Sequence, residues 1–206
     1  MIISFEGIDG SGKSTQARLL REYLVERGLN VHMVREPGGT PVSEQIRSIL
    51  LNADLEIDPF AEMLLFSAAR SQLARRKLTP ILERGDIVIC DRFFDSTTAY
   101  QGGGRRIADP DWLDRFHRMV TGGLVPDRTY LIRVSLNTAS MRMKDRNGGA
   151  GASDRMEAAG SEFYERVREA YEEIARREPE RILVIDGDQS PEAIHSIIRN
   201  DLRRFL

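Results

Sequence analysis

Short apolar runs alternate with longer segments of helical period along the 206-residue chain. Ile2-Ile3-Ser4-Phe5 reads as a strand ending at a glycine-rich turn. Residues 13–27 read as a helix, with Ala17, Leu20 and Leu24 at spacings of three and four, and Gly28 stops it. Val31-His32-Met33-Val34 is a second strand, closed by the loop composition Glu36-Pro37-Gly38-Gly39. Pro41 opens a helix carried by Val42, Ile46, Ile49 and Leu50; a long one follows Pro59 through Met63, Phe66, Arg70 and Leu73 toward Leu82 and Gly85. Ile87-Val88-Ile89-Cys90, Tyr130-Leu131-Ile132 and Ile182-Leu183-Val184-Ile185 are further strands, and helices over 161–177 and 191–204 finish the chain. Strands that are apolar throughout belong to a parallel sheet covered on both faces, with helices as the crossovers. The pattern predicts a three-layer α/β fold with a five-stranded parallel sheet, as one domain over 1–206.

Composition narrows the function. Hydrophobic residues make up 41%, enough for a buried core. Thirty Lys+Arg against thirty-two Asp+Glu leave a net charge of −2, so a nucleic-acid partner is not expected. No apolar run approaches the ~20 residues that cross a bilayer, so no membrane span is expected. The first residues carry no basic region or cleavage site, and Cys90 stands alone, so a reducing cytoplasm is the expected location. Cys90 reads as core packing, and His32, His117 and His195 read as surface or capping residues.

The chemistry begins at Gly7-Ile8-Asp9-Gly10-Ser11-Gly12-Lys13-Ser14, which fits G-x-x-x-x-G-K-[ST] between a strand and a helix. Glycines let the backbone curl so that successive N–H groups face phosphate oxygens. The following helix adds its positive dipole end, Lys13 a mobile ammonium, and Ser14 a hydroxyl for Mg²⁺. A carboxylate closing a neighbouring strand completes such a metal site. Asp91 is preferred because Arg92 follows it and could clamp a phosphate; Asp186 reads instead as capping a turn with Gly187. A GTPase switch would need N-K-x-D, and no Asn-Lys pair exists. G-x-G-x-x-G is not formed around residues 7–15, and no Ser-His-Asp constellation is visible. Phosphoryl transfer remains, and it needs cations around the moving group. Arg142 and Arg146 share a helix face leading into the glycine-rich stretch 147–153, with Arg155 beyond it. That predicts a lid over 142–157 that delivers arginines on closure.

Several segments together resemble thymidylate kinase. They are the run from Phe5 to Thr15, Arg35-Glu36-Pro37-Gly38-Gly39-Thr40, Asp91-Arg92 with Ser96-Thr97, Ala99-Tyr100-Gln101-Gly102-Gly103-Gly104, and Asp154-Arg155-Met156-Glu157. They occur in the family's order over nearly the whole chain, and resemble the bacterial form, whose lid supplies the arginine that its P-loop lacks. The resemblance implies a P-loop nucleoside monophosphate kinase fold, ATP and dTMP as substrates, Mg²⁺ as cofactor and a homodimer. It implies that the loop from Gly7 to Thr15 and Arg142 bind ATP. Phe66 would stack on thymine, Arg70 bond a base carbonyl, and Thr97 read the pyrimidine edge, with Pro37, Ser96 and Gln101 in the same pocket. Tyr100 would crowd the sugar, Asp9 bind the 3′-hydroxyl, Arg92 and Arg47 hold the acceptor phosphate, and Arg146 bridge the phosphates. Lys13, Arg92, Arg146 and Asp9 would thus carry catalysis, and Ser14 and Asp91 the metal. Two departures stand out: 147–153 is longer than a short lid, and Phe93 takes a position where Tyr or His is frequent. Arg105 and Arg106 read as surface residues. A kinase of another monophosphate or of a deoxynucleoside is the alternative, or a non-catalytic ATP-binding regulator.

Overall fold

The computed structural model describes residues 1–146 and 160–206. Strands β1 (Ile2–Glu6), β2 (Val31–Arg35), β3 (Ile87–Asp91), β4 (Arg128–Arg133) and β5 (Ile182–Asp186) form one sheet. Its order is β2-β3-β1-β4-β5 and every pair is parallel, as the unbroken apolar runs predict. The helices are α1 (Lys13–Val25), α2 (Pro41–Leu51), α3 (Pro59–Leu73), α4 (Thr79–Glu83), α5 (Phe94–Thr97), α6 (Pro110–Thr121), α7 (Leu136–Arg146), α8 (Ser161–Arg177) and α9 (Pro191–Leu202).

Successive strand residues feed opposite layers, and both layers are apolar. Ile3, Phe5, Ile89, Tyr130 and Ile132 pack on Ala17, Leu20 and Leu24 of α1 and on Ile194 and Ile198 of α9. Ile2, Val88 and Cys90 face the other way, onto Leu73, Leu78 and Ile81. Leu131 and Ile182 meet Phe163, Val167 and Tyr171 of α8 on that second face. Cys90 is accordingly fully buried, and burial pushes its thiol pKa up, as core packing implies. The register pairs Phe5 with Asp91 and Arg35 with Asp91, so the carboxyl ends of three strands converge on one edge. That edge is where a doubly wound sheet holds ligands.

Two expectations need correction. The long helix after Pro59 is not continuous: a π-helical turn at Ala74–Leu78 joins α3 to α4. Pro80 lacks an N–H to continue the i→i−4 ladder, and the wider turn accommodates it. Residues 94–104 are helical, with α5 running into a second π-helical turn at Thr98–Gly104. The glycines there serve close packing: a Cβ on Gly103 would lie 2.4 Å from Cβ of Ala170 in α8. His117 is not a surface residue. It is buried on α6, stacked on Phe94 with ring centroids 5.2 Å apart, and its Nε2 lies 3.0 Å from Thr98 Oγ1. Burial, with Arg70 adding to it, lowers its pKa to about 3, so it is a neutral core histidine.

The last helix is tied to the sheet by charge. Arg128 Nε and Nη2 donate to the two Asp201 oxygens at 2.7 and 2.8 Å, Nη1 donates to the Glu180 carbonyl at 2.6 Å, and Tyr130 Oη donates to Asp201 at 3.2 Å. Both partners are more than nine-tenths buried. Removing one partner of such a pair strands a buried charge, at about 3–5 kcal/mol. Asp201→Ala will therefore lose about 3 kcal/mol of unfolding free energy in urea, and adding Arg128→Met to it will restore most of that loss.

Candidate functional site

Between Glu6 and Lys13 the chain turns back on itself through Gly7, Gly10 and Gly12, at φ of +135°, +79° and +100°. Only glycine takes these values without strain. A side chain on Gly10 would also strike the Ala139 carbonyl at 2.5 Å, so α7 lies directly on the loop. Lys13 is buried, and its Nζ folds over the loop to donate to the Ile8 carbonyl at 2.8 Å, 3.5 Å from Ser11 Oγ. Ser14 Oγ donates to Asp91 Oδ2 at 2.5 Å, while Thr15 is exposed beside it. Arg142 reaches the loop from α7, donating to the Ser11 carbonyl at 3.4 Å and the Gly187 carbonyl at 2.9 Å.

A cavity of about 550 Å³ runs from this loop to a second cluster. Phe66 and Arg70, one turn apart on α3, line it together with Pro37, Arg47, Thr97 and Gln101. Arg70 is buried and fixed on three sides, donating to Glu36 Oε2 at 2.6 Å, Thr97 Oγ1 at 2.8 Å and the Phe93 carbonyl at 3.2 Å. Burial pushes the Glu36 carboxyl up to about 7, only partly offset by Arg70. Arg47 Nη1 donates to the Pro37 carbonyl at 3.0 Å, and Gln101 Nε2 to Glu62 Oε1 at 2.9 Å. Arg105 is half-buried rather than a plain surface residue; its Nη2 pairs with Glu62 Oε2 at 3.2 Å.

Arg92 stands between the two ends. Its backbone takes φ +73°, in the left-handed region that favours glycine, which turns the side chain from the β3 edge into the cavity. Nη2 donates to Asp9 Oδ1 at 2.8 Å and Tyr100 Oη at 3.0 Å; Nη1 donates to Ser96 Oγ at 3.0 Å and Tyr171 Oη at 3.3 Å. Behind them lies Glu6, buried at 1% exposure, which accepts from Phe93 N, Ser96 Oγ and Tyr171 Oη at 2.7, 2.6 and 2.9 Å. Burial, with Asp95 second, raises the pKa of Glu6 against those hydrogen bonds. Burial would raise Asp9 as well, but Arg92 and Lys13 together hold its carboxyl well below the usual range. Tyr100 stays protonated, its pKa driven up by burial, and donates to Asp9 Oδ2 at 3.3 Å. Burial and then Arg92 depress the Lys13 ammonium to about 8, against the pull of Asp9, Asp91 and Glu6.

The structure therefore gathers Asp9, Gly10, Gly12, Lys13, Ser14, Thr15, Asp91, Arg92 and Arg142 with Pro37, Arg47, Phe66, Arg70, Ser96, Thr97, Tyr100 and Gln101 around one cavity. Gly7 and Ile8 shape the loop from behind it, and the Ser11 side chain is buried. Ser96 lines the cavity with its hydroxyl already taken up by Arg92 and Glu6. The Arg146 side chain, the stretch 147–153 and the segment Asp154-Arg155-Met156-Glu157 lie outside the described residues. Asp186 accepts from Asp188 N at 3.0 Å, as a turn cap does. Sequence reasoning assigned no role to Glu6, Glu36, Glu62 or Tyr171. Glu6 carried a signal, a lone acid closing an apolar strand; Tyr171 carried none, since its partner Ser96 lies 75 positions away.

Ser14 and Asp91 offer hard oxygen donors, and among the described residues no group of three or more His, Cys, Asp or Glu could hold a metal. That donor set fits Mg²⁺, which keeps most of its waters and takes one or two protein oxygens beside phosphate.

Comparisons with known proteins point one way. The family model described as thymidylate kinase matches residues 5–198. A thymidylate kinase from Chlorobaculum tepidum is 48% identical over 200 residues, covering 95% of this chain and 93% of that one. Another, from Kosmotoga olearia, is 45% identical over 206 residues, covering 100% and 95%. The crystal structure of thymidylate kinase from Ehrlichia chaffeensis matches with a TM-score of 0.79 and 37% identity over 98% of both chains.

The depressed Lys13 ammonium makes polyphosphate affinity pH-dependent. A base with a lowered pKa loses its charge as pH rises through about 8, and bound phosphates favour the charged form. Calorimetry with inorganic tripolyphosphate will find binding about tenfold weaker at pH 9 than at pH 7. Lys13→Arg, whose guanidinium does not titrate there, will not show this loss whatever its absolute affinity.

Proposed function

The chain belongs to the thymidylate kinase family, phosphotransferases that move the γ-phosphoryl group of ATP to dTMP to give dTDP and ADP, and we propose how its residues divide that reaction. The observation that carries the proposal is the single cavity that joins the glycine loop to the Phe66–Arg70 cluster, with Arg92 between them. It gives a polyphosphate and a nucleoside monophosphate adjoining places, which in-line transfer requires.

The loop from Gly7 to Thr15 binds the ATP phosphates through its N–H groups and Lys13, and Arg142 flanks the nucleotide. Ser14 and Asp91 would hold Mg²⁺, which, when bound, screens phosphate charge and orients the tail. At the far end Phe66 stacks on thymine and Arg70, locked by Glu36, Thr97 and Phe93, donates to a base carbonyl. Thr97, Gln101 and Pro37 complete the base pocket, and Tyr100 closes over the sugar. Asp9, kept ionised by Arg92 and Lys13, accepts from the 3′-hydroxyl. Arg92 and Arg47 hold the acceptor phosphate; a guanidinium can bond two of its oxygens at once. Ser96 and Tyr171 hold Arg92 from behind. The acceptor phosphate is largely a dianion at neutral pH, so no general base is required of the protein. Its contribution is alignment and charge: Lys13 and Arg92 are placed for it within the cavity, and Arg146 from the lid over 142–157 adds another cation while water is excluded.

The whole of 1–206 acts as one domain in this reading, in the cytoplasm; among the described residues no helix is long and apolar enough to cross a membrane. A homodimer is supported by Val42 and Ile49 on α2 and Phe60 and Leu64 on the adjoining α3, all more than two-fifths exposed.

A coupled assay of ADP release across a panel of monophosphates tests the proposal. Release will require an acceptor, and dTMP will be preferred. dUMP lacks only a methyl, worth about 1–3 kcal/mol in an apolar pocket, so it will trail dTMP by about 10–200-fold in kcat/KM. Release without acceptor, or none at all, would instead identify an ATP-binding regulator. Arg146→Ala will lower kcat by roughly a hundred- to thousandfold while the KM for dTMP changes little. Unchanged turnover would assign the lid cation elsewhere.

A further inference from the structure

Glu62 is completely buried on α3 behind the cavity wall, a position where a carboxylate is costly unless it has work to do. Arg105 holds both of its oxygens, Nε at 3.3 Å from Oε1 and Nη2 at 3.2 Å from Oε2. Facing a guanidinium, the carboxylate is an acceptor only. Gln101 Nε2 also donates to Oε1, at 2.9 Å. Gln101 is 2% exposed and lies four residues beyond Thr97 on the same helical run, and Thr97 itself accepts from Arg70.

The amide of Gln101 could in principle turn either end to the cavity. Glu62 removes that freedom, because the flipped amide would set a carbonyl oxygen against a carboxylate oxygen at hydrogen-bond distance. With Nε2 held outward, Gln101 Oε1 takes no hydrogen bond from the described residues and opens on the cavity. We propose that Glu62 is a specificity-determining positioning residue that fixes Gln101 as a hydrogen-bond acceptor toward the base. The proposal rests on the reading that the base lies among Phe66, Arg70 and Gln101.

The consequence follows from the bases themselves. Thymine and uracil present an imide N–H flanked by carbonyls, which matches an acceptor at Gln101 beside a donor at Arg70. Cytosine presents a bare ring nitrogen and an amino group, so it meets acceptor with acceptor and donor with donor. A site with fixed polar groups rejects the mismatched base because those groups are left unpaired.

Glu62→Leu tests this. It removes the acceptor that holds Gln101 Nε2, and Arg105, which is partly exposed, turns to solvent. Either end of the Gln101 amide can then face the base. The ratio of the dCMP inhibition constant to the dTMP KM is expected to fall by at least about tenfold. The dUMP to dTMP ratio will stay constant, because both carry the imide, and the KM for ATP will stay within about twofold. Equal loss for all three monophosphates, or an unmoved dCMP to dTMP ratio, overturns the proposal. Gln101→Leu, which leaves Glu62 and Arg105 paired, separates the two levels of inference. If it leaves the dTMP KM unchanged, the base is not at Gln101 and the reading of the cavity fails. If it weakens dTMP while Glu62→Leu changes no selectivity, the reading stands and the role of Glu62 fails. Should Glu62→Leu not fold, the wild-type side-chain amide of Gln101 decides by NMR. Protection of its NH₂ from solvent exchange in the free enzyme is expected, and rapid exchange would overturn the proposal.

Discussion

The guanidinium of Arg92 donates to Asp9, Tyr100, Ser96 and Tyr171 at once, and so draws the glycine loop, the α5 helical run and α8 around the end of β3. A cation enclosed this far from water must be met by acceptors on every side, and each acceptor must itself be satisfied. Glu6 does this from below by holding Ser96 and Tyr171. Asp9 does it from the loop, where an acid would otherwise oppose the binding of phosphate. The pair leaves the loop with Lys13 as its positive element while keeping Arg92 pointed at the middle of the cavity. Much of the site's geometry is a consequence of satisfying that one charge.

The base end works on the same principle with a different cation. Arg70 is fixed by Glu36, Thr97 and Phe93, so its remaining N–H groups have a set direction before any ligand arrives. A buried acid stands behind each arginine, Glu36 bonded directly to Arg70 and Glu6 reaching Arg92 through Ser96 and Tyr171, and burial raises the pKa of both acids. Preorganised donors of this kind lose little on binding because their reorganisation is complete in the folded protein. The cavity therefore has its cations oriented at both ends before a ligand arrives.

Local patterns made a good part of this legible. The apolar runs announced five parallel strands, because a strand buried on both faces has no polar alternation to hide. The glycine and lysine spacing announced the anion cradle, because positive φ and close backbone approach admit few other residues. Phe66 and Arg70 are four apart on one helix, but their place at the base came from the family resemblance and not from the pattern. Local pattern misled where packing reversed the usual meaning of a residue. His117 reads as a surface residue, yet its ring fills the space above Phe94. The break at Ala74–Leu78 was hidden because Pro80 disturbs the hydrogen-bond ladder without interrupting the apolar stripe.

What the chain's own order determined was the five strands, the phosphate cradle and the residue types able to do phosphoryl transfer, since each of these depends on neighbours within a turn or two. Which acid answers which arginine was decided only in three dimensions. Tyr171 meets Ser96 across 75 positions and Glu6 across 165, and Gln101 meets Glu62 across 39. Hydrogen bonds act over about 3 Å and carry no trace in a sequence. The stacking of α3, α5 and α8 against the carboxyl ends of β1 and β3 brought these groups within that reach, and with it fixed the direction in which each functional side chain points.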